Sequence, residues 1–177
     1  MRLHTIFTAG AVATVLMGCA SVHQGMVLET VGPDPVTSVN SASSTGTLLV
    51  YSAYIVNADF NSRDSHRPEY SDYEILTMKG TLKQRVHNNS GTLLQRPKRI
   101  NLAPGNYRIV ARANGYGFVT VPIVIQAGKD TVMHLEGGDH WPGTPSFNGS
   151  NAVRLPNGDV VGWKSGTSAN DSAAPAN

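Results

Sequence analysis

Leu102-Ala103-Pro104-Gly105-Asn106-Tyr107-Arg108-Ile109-Val110-Ala111-Arg112-Ala113 decides the fold. It opens with a turn. Pro104 fixes φ near −65° at the first central position, and Gly105 accepts the positive φ that a type II turn needs at the second. Alternation follows, with Tyr107, Ile109, Ala111 and Ala113 on one face and Arg108, Val110 and Arg112 on the other. Period two over this length is a half-buried strand. After Asn114-Gly115-Tyr116-Gly117 the pattern repeats, with Val119, Val121, Ile123 and Ile125 sharing a face. Pro122 lies on the opposite parity and lacks an N–H, so the sequence predicts an edge strand or a bulge there.

The same signals extend outward in both directions. Upstream, strands are predicted at Thr47–Tyr54, Tyr73–Met78, Thr81–His87 and Lys98–Leu102. Downstream, Ala127-Gly128-Lys129-Asp130 turns the chain into Thr131–Leu135. With the two central strands this gives seven, with no convincing helix: an all-β antiparallel sandwich over residues 47–136. Composition agrees. Among 177 residues there are 18 Gly and 10 Pro, and only 15% are charged, which suits tight turns between strands better than a helical bundle. After an irregular stretch, Val153–Trp163 reads as an added C-terminal hairpin turning at Asn157-Gly158, a favoured type I′ pair. It is expected to dock in residues 137–164, with Trp163 and Trp141 covering apolar surface; an exposed Trp platform for sugar rings is the weaker alternative. Residues 165–177 read as a disordered tail.

The N-terminus carries a different signal. Arg2 precedes an apolar run from Ile6 to Met17 that closes on Leu16-Met17-Gly18-Cys19. The run suits a signal h-region and is too short to cross a membrane, which takes about 20 residues. An ordinary secretory signal with a stray cysteine is the competing reading. Residues 19–46 hold one short strand, Met26 to Val31, and then a small-polar stretch, and are expected to form a tether. A coil of that length spans roughly 30 Å.

Two resemblances add to this. Leu16-Met17-Gly18-Cys19 resembles the lipobox of bacterial lipoprotein precursors. That implies removal of residues 1–18, acylation of Cys19, and a lipid-anchored protein of the cell envelope. Ala20, where some bacteria place a retention Asp, implies the outer membrane. The second resemblance rests on Leu102-Ala103-Pro104-Gly105-Asn106-Tyr107, Gly115-Tyr116, and Val121–Ile125 leading to Thr131-Val132. This is similar to the C-terminal half of carboxypeptidase-regulatory-like and PEGA-like domains, although the Pro-Glu-Gly-Ala signature is absent. It implies an immunoglobulin-like or transthyretin-like sandwich, with Tyr107 a structural corner residue and not a catalytic one.

Catalytic signatures are missing. There is no nucleotide loop, zinc-finger spacing or nucleophile elbow, and no cofactor is expected. Asp64-Ser65-His66 are neighbours on one polar loop, whereas a triad is a matter of geometry. His134, Glu136, Asp139 and His140 lack a trustworthy ligand spacing, and His134 is expected at the surface. Asp59, Asp64, Glu69, Asp72 and Glu74 read as a solvated loop ahead of a calcium site. Charge asymmetry is the informative feature. Between Ile75 and Lys129 there are nine basic residues and no acidic one. Parity puts Lys83 with Arg85, and Arg108 with Arg112, each pair on one sheet face. The candidate ligand surface is therefore Lys83, Arg85, Arg108 and Arg112, meeting an anionic envelope polymer. A plain solvated face is the competing reading, with lysines discouraging edge-to-edge pairing. The expected class is a non-enzymatic binding or structural module. An accessory subunit contacting another envelope protein through a sheet edge or the hairpin comes second, and a hydrolase last. Nucleic acid is not expected as a partner.

Overall fold

The computed structural model describes residues 25–35, 37, 42–56, 68–88, 96–137 and 147–167. These residues form an all-β sandwich. Thirteen strands occur among them: β1 (Met26–Val27), β2 (Val31–Gly32), β3 (Gly46–Tyr51), β4 (Tyr54–Val56), β5 (Pro68–Tyr70), β6 (Tyr73–Thr77), β7 (Leu82–Val86), β8 (Ile100–Leu102), β9 (Gly105–Ala113), β10 (Gly117–Ile125), β11 (Asp130–His134), β12 (Ala152–Arg154) and β13 (Val160–Lys164).

Each of the seven stretches singled out by period two contains a strand, namely β3 and β6 through β11. The large sheet runs β12-β13-β2-β10-β9-β6-β7, with β1 also on β10. A smaller sheet runs β11-β3-β8, and β4 pairs with β5. Most pairings are antiparallel, but β3 with β11, and both β1 and β2 with β10, are parallel.

The alternation of β9 and β10 builds the core. Ile109, Ala111, Val119, Val121 and Ile123 are fully buried, and they meet Leu48 and Val50 of β3 and Met133 of β11 from the facing sheet. At the turn before β9, Gly105 has φ 152°. The Tyr107 ring is buried, and its hydroxyl donates to the Ala103 carbonyl at 3.0 Å, closing the corner.

Four expectations are corrected. First, β10 is not an edge. Thr120 accepts from the Leu28 N–H, so residues of that parity, Pro122 included, turn their backbone groups toward β1 and β2. β1 ends at Val27, opposite Thr120, and β2 begins at Val31, opposite Ile123. Pro122 therefore faces the break between them, where no ladder donor is required. Second, residues 25–35 are not tether. Val31 is fully buried, and β2 is clamped between β10 and β13.

Third, the C-terminal hairpin does not turn on a type I′ pair. The Gly158 N–H donates to the Leu155 carbonyl and the Leu155 N–H to the Asp159 carbonyl, around Pro156-Asn157-Gly158. Type I′ on Asn157-Gly158 needs positive φ at both residues, and Asn157 does not have it. The loop instead takes its single positive φ at Gly158 (96°). The hairpin docks, and does so by extending the large sheet: Trp163 pairs with Gly32, and its side chain is buried. Trp141 lies outside the described residues. Fourth, Lys83 and Arg85 do not share a face, for a reason given below.

Candidate functional site

Alternation on β9 turns Arg108, Val110 and Arg112 away from the core. Register sets their neighbours. Arg108 lies opposite Leu76 on β6 and Pro122 on β10, Val110 opposite Glu74 and Thr120, and Arg112 opposite Phe118. The Arg112 guanidinium lies 5.8 Å from the Phe118 ring centroid. A cation over a ring face is electrostatically attracted to it. Among the described residues, neither Arg108 nor Arg112 forms an ion pair. Three other cations are neutralised. Arg85 Nε holds Glu74 at 2.8 Å, Arg99 holds both oxygens of Asp130 at 3.0 and 2.9 Å, and Lys164 holds Glu29 at 2.8 Å.

Lys83 leaves this face because the β6–β7 register slips. Ile75 pairs with Gln84 but Leu76 with Leu82, so β7 carries an extra residue there. A bulge breaks the parity on which the sequence argument rests. Arg85 stays outward beside Glu74, while the Lys83 ammonium sits 5.8 Å over the ring of Tyr107, whose side chain belongs to the core. Of the four expected residues, the fold thus brings Arg108 and Arg112 together with a paired Arg85 and sends Lys83 elsewhere. Cys19 lies outside the described residues.

Two shallow grooves flank the outer face. One of about 640 Å³ is lined by Glu29, Met78, Pro122, Val124 and Lys164, its two charges already paired. The other, of about 360 Å³, is lined by Tyr54, Arg112 and Asn114 among others.

Sequence reasoning missed a buried polar cluster on the other sheet. His134 is buried, contrary to the surface position expected of it. β11 lies parallel to β3 with His134 beside Tyr51, and the two rings stack at 4.1 Å and 9°. His134 Nδ1 lies 2.7 Å from Glu136 Oε1, with the side chains only 8% and 12% exposed. Tyr70 meets Tyr51 edge-on at 5.7 Å and stacks on Tyr54 at 4.8 Å, with the two hydroxyls 3.1 Å apart. The only available signal was the register of a parallel pair, which neither strand encodes alone.

Burial raises the Tyr51 phenol above its ordinary range, and the Glu136 carboxylate adds to this against the opposing pull of Arg96 and Arg99. Burial and then the hydrogen bond with Tyr54 raise Tyr70 further. Burial alone raises Tyr73. These phenols stay protonated at neutral pH. Of the carboxylates once considered for calcium, Asp72 contacts His87 Nδ1 at 2.5 Å and Glu74 is taken by Arg85. Asp59, Asp64, Ser65, His66, Asp139 and His140 lie outside the described residues. No group of three His, Cys, Asp or Glu among the described residues could hold a metal ion.

Stability above pH 10 is expected to report this chemistry. A phenol whose folded pKa lies above its unfolded value of 10.0 favours the fold while protonated. That contribution is complete below pH 10 and drains as pH rises toward the folded pKa. The Tyr73 hydroxyl is buried with no hydrogen-bond partner among the described residues. Tyr73→Phe should therefore raise stability by about 1 kcal/mol at neutral pH and flatten the alkaline decline. Urea melts at pH 7.5 and pH 10.5 would check both; a destabilised variant with an unchanged alkaline slope would refute the assignment.

Comparison with protein-family models, curated proteins and solved structures finds no match for this chain.

Proposed function

We propose that this chain is a lipid-anchored, non-enzymatic module of the bacterial cell envelope, whose outer sheet face meets an anionic envelope surface. The observation that carries the binding role is the pair Arg108 and Arg112. They project from one strand on one face with no carboxylate partner among the described residues, while Arg85, Arg99 and Lys164 are all paired. Two cations without a carboxylate on the same face of one continuous strand present a positive surface. The anchor is supported by Leu16-Met17-Gly18-Cys19, and the outer membrane by Ala20. Acyl chains on Cys19 would hold the module at the lipid, since two chains suffice for stable attachment.

The accessory-subunit reading loses its clearest surface. Trp163 is 1% exposed and stacked on Phe147, so the hairpin does not present it to a partner or a sugar ring.

Co-sedimentation with isolated envelope fractions tests the proposal. Binding should fall steeply between low and high salt, because surface charge attraction is screened over about 10 Å at 0.1 M. Arg108→Ala with Arg112→Ala should weaken low-salt binding at least several-fold. Cys19→Ala should move the chain from the membrane to the soluble fraction. Salt-independent sedimentation that ignores the double substitution would reject the cationic face.

A further inference from the structure

We infer that the corner of the large sheet where β1 joins β10 rests on the anionic lipid surface that carries the anchor. This deepens the proposed function and depends on acylation of Cys19. Met26 and Val27 are registered against Val119 and Thr120, and the Leu28 N–H donates to the Thr120 carbonyl at 2.9 Å. Gly25 packs so closely that a Cβ there would lie 2.1 Å from the Phe118 carbonyl oxygen. The chain is therefore fixed to the sheet from Gly25 onward. Only six residue steps separate it from Cys19, and six steps reach at most about 20 Å. The long tether expected from the sequence is reduced to a short leash, and the leash ends at this corner.

What the corner exposes matches a lipid interface. Val27 is 69% exposed and Phe118 39%, with Met26 and Tyr54 also exposed. Val27, Phe118 and Arg112 point to the outer face, since Val27 shares the row of Thr120 and Val110, and Phe118 lies opposite Arg112. The Arg112 cation sits over the Phe118 ring and borders the groove of about 360 Å³ shared with Tyr54 and Asn114. Apolar side chains with an interfacial tyrosine and a cation at headgroup depth are the combination that holds a surface against anionic lipid. Among the described residues no carboxylate lines the groove, and Asp72 is engaged by His87 and by the Asn88 N–H. An acidic glycan would use Arg112 but give no reason for the exposed Val27 beside it. The opposite end of the sheet, at the Lys79-Gly80 turn, lies beyond the other end of β9.

Cys19 is the chain's single cysteine. Once it is acylated, a cysteine introduced elsewhere is the only free thiol. The full-length chain carrying Val27→Cys or Lys79→Cys would be purified in detergent, labelled with an environment-sensitive fluorophore, and reconstituted into phosphatidylcholine vesicles with and without phosphatidylglycerol. The label at position 27 should be quenched by nitroxide-bearing lipid in the phosphatidylglycerol vesicles, and the label at position 79 should not. Arg112→Glu should reduce the quenched fraction at position 27 by about fivefold or more, the scale expected for one cation near an anionic leaflet, while leaving the chain anchored. An anchored chain whose position-27 label stays in water, or is quenched no more than position 79, overturns this inference and leaves the anchor standing. The same result together with capture on peptidoglycan assigns Arg112 to a polymer instead. A Cys19 thiol that still reacts with maleimide removes the anchor, and the inference with it.

Discussion

Trp163→Ala should cost about 3–5 kcal/mol, the range for deleting a large aromatic from a packed core. The Trp163 side chain is 1% exposed and stacks on Phe147 with ring centroids 4.1 Å apart. Its strand pairs with Ala152 on one side and Gly32 on the other. The ring therefore sits where the C-terminal hairpin, the N-terminal segment and the main sheet join. Domains of this kind hold only about 5–15 kcal/mol in total, so the variant should melt far below the wild type, and Trp163→Phe should recover part of the loss. Urea unfolding of both variants measures it. Ending the chain at residue 137 should be worse, since Val153, Leu155 and Val161 of the main core cluster leave along with Trp163. A loss below about 1 kcal/mol for Trp163→Ala, within the range of ordinary surface changes, would show that the hairpin merely decorates the sandwich.

That joint also shows where sequence reading reaches its limit. The β9–β10 hairpin was legible because nine consecutive pairs obey one parity, and each side chain's face follows from its position alone. A short strand was expected from Met26 to Val31, but not its split into β1 and β2 or the place of Val31-Gly32 inside the large sheet. Two residues carry no period, and they are ordered by β10 on one side and β13 on the other, strands some ninety and one hundred and thirty residues away. Pro122 was read correctly as lacking a ladder donor, but the remedy was a break in the neighbouring strands and not a free edge. Lys83 was misplaced because one extra residue in β7 inverts parity beyond it, and nothing in Leu82–Val86 marks where the slip falls.

The candidate surface divides the same way. Arg108 and Arg112 lie on an uninterrupted strand and were found. His134 beside Tyr51 depends on which strand lies next to β11, and local pattern cannot supply that. Charge asymmetry pointed to a basic region, yet Glu74 and Asp130, just outside the acid-free stretch, return to neutralise Arg85 and Arg99. Only three-dimensional pairing distinguishes a cation held in a salt bridge from one that remains available.

Asn88→Leu should destabilise the fold by about 3 kcal/mol, because each buried polar group left without its partner costs on the order of 1–3 kcal/mol. Asn88 is fully buried just after β7. Its amide donates to the Val50 carbonyl at 2.8 Å and to Ser52 Oγ at 3.0 Å, and its Oδ1 accepts from the Lys98 N–H at 3.0 Å. Ser52 passes the chain of bonds on by donating to the Ser71 carbonyl at 2.6 Å. One side chain thus ties the large sheet's edge to β3 and to the segment leading into β8. Leucine matches asparagine roughly in volume, so lost hydrogen bonds and not a cavity dominate the change. Asn88→Asp keeps the acceptor but buries a charge, and should be no better at neutral pH. The network reading is checked by a double-mutant cycle with Ser52→Ala followed by urea unfolding. A coupling of about 1 kcal/mol between the two sites is expected of groups that share a buried network. Additive effects would mean that Asn88 acts only through Val50 and Lys98, and a loss from Asn88→Leu below about 1 kcal/mol would mean that water reaches these groups and the network does not hold the two sheets together.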